Sequence, residues 1–205
     1  MPHSTQVAGY AAIHGGDDRW IGNIFLAGDP EGAYARDWQS APGAPRTGTR
    51  AGYGTAGYDG HPSSFAEYLA LVGDPSRGDL ERFVAVTQPV YIRDNVYAEG
   101  ATPYEGEQGA ASLGDASVHV AVVADADDVH LEARLPPVFD QTRLPVLTGR
   151  DLERVRFVDG EFEEPDGSPA VLDTDLIGAR KTEGLDYPAG PLARLTSGAS
   201  RIHIW

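Results

Sequence analysis

Asn23-Ile24-Phe25-Leu26 recurs as Asn95-Val96-Tyr97-Ala98, and a glycine follows each within a few residues. An asparagine ahead of β-branched and aromatic residues suits the turn of a stacked coil. There its side-chain amide can bond backbone groups that a strand ladder leaves free. A pair of unrelated edge strands sharing one triplet is the plainer alternative. The repeat favours coils of a right-handed parallel β-helix, because self-similar segments are the mark of stacked architectures. Outward from the echo, Trp20–Leu26 and Pro89–Tyr97 each read as one strand.

Helical periodicity is nearly absent elsewhere. Ser63–Leu71 is the best helical stretch. Ser63 or Ser64 serves as N-cap, and Phe65, Leu69 and Val72 fall on one face. Asp79–Phe83 suits a further turn. Residues 28–60 are rich in Gly, Ala, Pro, Arg and Tyr, too long and polar for a coil. They form a functional loop or a locally disordered one; Tyr34, Trp38, Tyr53 and Tyr58 speak against plain disorder. After Ala110 the texture changes. Ser117–Ala124 and Asp128–Leu135 alternate around an acidic turn, which predicts an antiparallel hairpin. Val155–Phe162 and Ala170–Asp173 read as strands around the turn Pro165-Asp166-Gly167. Arg201–Trp205 is a short alternating strand. The expected fold is all-β: the C-terminal coils of a parallel β-helix over 1–112, then an antiparallel β cap over 113–205, with one short helix. Such a cap would cover the open edge of the last coil.

The totals exclude several functions. With 31 acidic against 16 basic residues and a net charge of −15, the chain lacks the basic stripe that nucleic acid requires. An anionic membrane is disfavoured for the same reason. With no cysteine, disulfides, thiolate nucleophiles and Cys-ligated metals are out. No leader or membrane span is evident, so a cytoplasmic location is expected. Lys181 is the only lysine, and an acidic, lysine-poor surface raises salt-dependent stability. No phosphate-cradling loop, zinc-spaced histidine pair or nucleophile elbow is present, and no cofactor is expected. Asp166, Asp173 and Asp175 invite calcium, but lack calcium-loop spacing and read better as turn and edge charges.

Gly15-Gly16-Asp17-Asp18-Arg19-Trp20-Ile21-Gly22-Asn23-Ile24-Phe25 resembles the Gly-Gly-Asp-Asp-Arg coil of parallel β-helix glycosidases such as the β-xylosidases of glycoside hydrolase family 120. Asp94–Pro103 resembles their Asn-Val-Tyr-x-x-Gly-Ala-x-Pro coil. Glu164–Pro169, Asp173-Thr174-Asp175 and Gly190-Pro191-Leu192 resemble their C-terminal signature. The usual double asparagine is Gly22-Asn23 here. Such enzymes are several times longer, so the resemblance covers their C-terminal portion. A fragment and a reduced stand-alone relative both fit. A solenoid lacking earlier coils would expose an apolar end, which leaves a homo-oligomer in prospect.

The resemblance implies retaining hydrolysis of an oligosaccharide built on β-linked xylose or a similar sugar. That chemistry needs an ionised nucleophilic carboxylate and a second carboxyl acting as acid, then base. Asp17 and Asp18 are the nucleophile candidates, and Arg19 can keep either ionised. Alternation places Asp17 with Arg19 and Asp18 with Trp20, which favours Asp17 if Trp20 packs inward. A turn there would undo this, so the choice stays open. Glu67, between Phe65 and Tyr68, suits the acid. His14, His61, Tyr53 and Tyr58 are candidate sugar contacts, the tyrosines by stacking. A capped surface turn explains Asp17–Arg19 equally simply, and a solvated helix explains Glu67. Loop anchoring explains the tyrosines, and structural bonding the histidines. Glu105 and Glu107 follow the second coil, where a place near the cleft is one reading and a solvated turn the better one. The rivals are a non-catalytic carbohydrate-binding or structural β-helix piece and a polysaccharide lyase; the lyase suffers from the shortage of cations.

Overall fold

A computed structural model describes residues 17–26, 62–74, 76–78, 81–82, 90–114, 118–126, 128–155 and 160–205. His14, Tyr53, Tyr58, His61 and the 28–60 loop lie outside the described residues. Within them the chain is mostly β, with several small sheets and one α-helix.

Each of the two strands predicted around the echo is two strands meeting at a corner. Asp18–Ile21 (β1) and Ile24–Leu26 (β2) flank Gly22-Asn23, while Val90–Arg93 (β3) and Val96–Ala98 (β4) flank Asp94-Asn95. β1 pairs with β3 in parallel, Trp20 opposite Ile92. β2 pairs with β4 in parallel, Ile24 opposite Val96. Ala111–Ser112 (β5) extends that second sheet, Ala111 opposite Val96, and Gln108 bridges Arg93. The repeated tetrapeptide is therefore a structural register. Periodicity misses the corners because one left-handed residue turns the chain without disturbing the apolar pattern. Gly22, Asp94 and Gly109 occupy that position in successive layers, with φ of +68°, +57° and +70°. Glycine and aspartate are among the residues that tolerate it. Among the described residues the sheets stay open and no full coil is closed.

The hairpin forms as expected from His119–Asp125 (β6) and Asp128–Leu135 (β7), with Asp125 opposite Asp128. The final strand, Gly198–His203 (β10), adds to the other edge of β7. Arg143–Pro145 (β8) pairs with Asp186–Pro188 (β9). The turn at Pro165-Asp166-Gly167 is present, closed by Gly167 N–H donating to the Glu164 carbonyl at 2.9 Å. Of the strand predicted at Val155–Phe162, residues 156–159 lie outside the described residues, and Val155 and Gly160 form an isolated bridge; within Ala170–Asp173, Val171 makes an isolated bridge to Thr148.

Packing joins the parallel and antiparallel parts in one core. Alternation gives the β2–β4–β5 sheet one aliphatic face, and an apolar sheet face must be covered. Val96, Ala98, Ile24 and Leu26 join Ala133, Leu135 and Leu131 of the antiparallel sheet in a single core, closed by Phe139, Leu192 and Leu195. The antiparallel part thus shares one core with the aliphatic face of the parallel sheet. The opposite face carries Phe25 stacked on Tyr97, ring centroids 5.2 Å apart.

The helix spans Phe65–Val72 (α1), capped by Ser64. Val72 is buried, but Phe65 and Leu69 are more than half exposed. The predicted apolar face is therefore not buried as a whole. Glu81 and Arg82 donate their N–H groups to the Gly78 carbonyl, while Asp79, Leu80 and Phe83 of the predicted turn lie outside the described residues.

Candidate active site

The acidic pair stands where the chain enters β1. Asp17 has a φ of +60°, so a turn precedes the strand and alternation cannot be extended back to it. Asp18 is exposed and lies on the same side of β1 as Trp20, which is 45% exposed. Arg19 alternates to the other side, where the Tyr91 and Phe162 rings lie 4.7 and 5.0 Å from its guanidinium carbon. Its guanidinium pairs with the Asp17 carboxylate at 3.2 Å and also reaches the Asp17 carbonyl. The other terminal nitrogen donates to the carbonyls of Glu153 at 2.6 Å and Arg154 at 3.0 Å. Asp17 is thus largely buried beside a fixed cation, whereas Asp18 faces outward.

Glu67 sits in the first turn of α1. Its carboxylate accepts from the Ser63 N–H and hydroxyl, both at 2.7 Å, while its own N–H donates to the Ser64 hydroxyl at 3.2 Å. This is a reciprocal cap of the kind that satisfies free helix donors. The described contacts bring Asp17 and Arg19 together; those of Glu67 lie at the start of its own helix. Among the described residues, a nearby hollow of about 400 Å³ is lined by Gly22, Ile24, Leu26, Leu131 and Gly190 and by no titratable group. Its walls can hold an apolar surface but supply no acid or base.

Glu107, read from the sequence as a solvated turn residue, is half-buried. Its carboxylate accepts from the Asn95 N–H at 3.1 Å, the Asn95 side-chain amide at 2.8 Å and the Tyr97 hydroxyl. Asn95, fully buried, also donates to the Trp20 carbonyl at 2.8 Å and accepts from the Asn23 N–H at 2.8 Å and its amide at 3.0 Å. The echoed asparagines were the available signal. Asp166, Asp173 and Asp175 hold turns: Asp166 takes Ser168, Asp173 takes Arg180, and Asp175 takes the N–H groups of Ile177, Ala179 and Ala193. The Arg180 guanidinium holds Asp173 below the ordinary carboxylate range, and Ser168 does so for Asp166. Among the described residues no group of three or more histidines and carboxylates is arranged to hold a metal ion. No helix among them is long and apolar enough to cross a membrane.

A scan of protein-family models gives no match, and neither does a search of curated proteins. A solved structure does match, the complex of XylC with xylose. This chain is similar to XylC. The two share 37% identity with a TM-score of 0.63. The alignment covers 100% of this chain and 29% of XylC, so the chain spans less than a third of that protein's length.

Proposed function

We propose that this chain is a xylose-directed, glycoside hydrolase-like piece, built on parallel β-helix coils and carrying part of a two-carboxylate retaining site. The observation that carries this is the 37% identity to XylC, a protein solved with xylose, along the whole of this chain. Parallel pairing of layered, corner-bent strands supports the β-helix architecture. In this reading residues 1–112 supply coils and 113–205 the antiparallel part, and the partner is an oligosaccharide.

One carboxylate of the Asp17–Asp18 pair attacks the anomeric carbon while a carboxylic acid protonates the departing oxygen. The acid, now a base, then draws a proton from water that cleaves the glycosyl–enzyme bond. The two carboxyls must stand roughly 5–5.5 Å apart. Asp17 is favoured as nucleophile, since the Arg19 guanidinium stands 3.2 Å from its carboxylate and holds it in place. Glu67 is the proposed acid/base, and His14, His61, Tyr53 and Tyr58 the proposed sugar contacts. A second reading, a non-catalytic piece that binds sugar or completes a larger assembly, is favoured by the 29% coverage of XylC.

Incubation with an aryl β-xyloside decides between them. Aryl release above that of an Asp17→Ala/Asp18→Ala double variant supports hydrolysis. Binding of xylo-oligosaccharide without release supports the second reading, and an unsaturated uronide product would indicate a lyase.

A further inference from the structure

We infer that Glu107 is a positioning residue for the Gly22-Asn23 corner, which ends the strand that the Asp17–Asp18 pair begins, and that it acts on this corner through Asn95. As a statement about substrate turnover, this rests on the hydrolase reading above. The Asn95 amide bridges the two sides of the first corner. Its nitrogen donates to the Trp20 carbonyl, before the left-handed Gly22, and its oxygen accepts from the Asn23 N–H, after it. Together these bonds fix the exit of β1, the strand that Asp17 and Asp18 enter. With the Asn23 side-chain amide and Glu107 included, both amide hydrogens and two oxygen lone-pair positions of Asn95 are engaged.

A buried amide with that many partners keeps one orientation only while all of them hold. Glu107 supplies the outermost anchor. Its Oε1 accepts from both the backbone and the side-chain nitrogen of Asn95, and its Oε2 accepts from Tyr97. Three donors therefore converge on its two side-chain oxygens, so the site calls for an acceptor facing Asn95. A glutamine keeps the carbonyl oxygen for Asn95, while the Tyr97 hydroxyl can rotate to accept from its NH₂. An alanine leaves two Asn95 hydrogens without their acceptor. Neither change touches Asp17, Asp18 or Arg19.

The test compares wild type, Glu107→Gln and Glu107→Ala by two readouts: aryl β-xyloside kinetics and residue-resolved amide hydrogen exchange. Glu107→Ala should lower kcat on the order of tenfold to a hundredfold, as expected of a small misplacement of a reacting group, with KM little changed. The Asn23 amide should lose protection while the β6–β7 amides keep theirs. Glu107→Gln should restore both within about threefold, a gap far smaller than misplacement costs. Equal Asn23 protection in all three proteins, or loss spread evenly over the molecule, overturns the inference. So does wild-type kcat in Glu107→Ala. If the wild type releases no aryl group, the hydrolase reading fails separately. Asn23 exchange then still decides whether Glu107 holds the corner.

Discussion

At the residue scale, Gly22 is where conformation and contact coincide. Its φ is +68°, and a Cβ there would lie 2.5 Å from the Leu144 Cδ1 methyl. Gly22→Ala should therefore destabilise the fold by roughly 1–3 kcal/mol, the range for a non-glycine residue in a left-handed position. A urea midpoint with unchanged slope would measure it. The two aspartates separate by single substitution. In the proposed mechanism Asp17→Asn removes the nucleophile and aryl release, while Asp18→Asn retains most of it; the reverse pattern would move the role to Asp18. Asp17, Asp18 and Arg19 could be named from their sequence as an acidic pair with a cation. Their unequal settings could not, because Phe162 and the Glu153 carbonyl approach Arg19 from more than 130 residues downstream. Glu107 was illegible for a related reason. In the run Gly106-Glu107-Gln108-Gly109 it reads as solvent-facing, and only the stacking of layers turns it toward Asn95.

At the scale of elements, the repeated Asn-aliphatic-aromatic-aliphatic pattern was legible because parallel stacking aligns like residues: Ile24 with Val96, Phe25 with Tyr97. The hairpin was legible because one buried face imposes a period of two on both strands. The corners and the short bridges between 148 and 180 were not, since single-residue pairing leaves no periodic trace. Helix α1 offers a test that separates capping from chemistry. Glu67→Gln keeps a carbonyl oxygen for the Ser63 N–H but cannot cycle a proton. Far-UV circular dichroism should be unchanged, while turnover falls on the order of 10²–10⁴-fold if Glu67 is the acid/base. Retained turnover would leave it as a cap. Ser64→Ala should do the opposite, costing the helix about 1 kcal/mol with little direct effect on chemistry.

At the scale of the whole molecule, two predictions concern charge. The Ser197 hydroxyl and N–H hold the Asp140 carboxyl below its ordinary range, as Thr148 does for Asp151. A carboxyl depressed in the folded state stabilises the fold fully above its unfolded pKa, about 3.9. That contribution fades as pH falls through the folded value. Urea midpoints should decline below about pH 4, and Asp140→Asn should make that decline shallower. The net charge of −15 implies self-repulsion that salt screens. Melting temperature should rise on going from low salt to about 0.5 M; independence of salt would discount the acidic surface as a source of instability. The shared core also predicts that Phe139→Ala costs about 3–5 kcal/mol. It should loosen the β2–β4–β5 amides as well as the antiparallel sheet, since both line that core.

Arg19 grips the Asp17 carboxylate with one nitrogen and the carbonyls of Glu153 and Arg154 with another, between the rings of Tyr91 and Phe162. A single flat cation is thus shared between an acidic group two residues away and a peptide segment more than 130 residues downstream. Whatever shifts the stretch after Asp151 tugs on the same fork that fixes Asp17. Evolution or an engineer could retune that carboxylate from a distant loop without altering any neighbour it has in sequence.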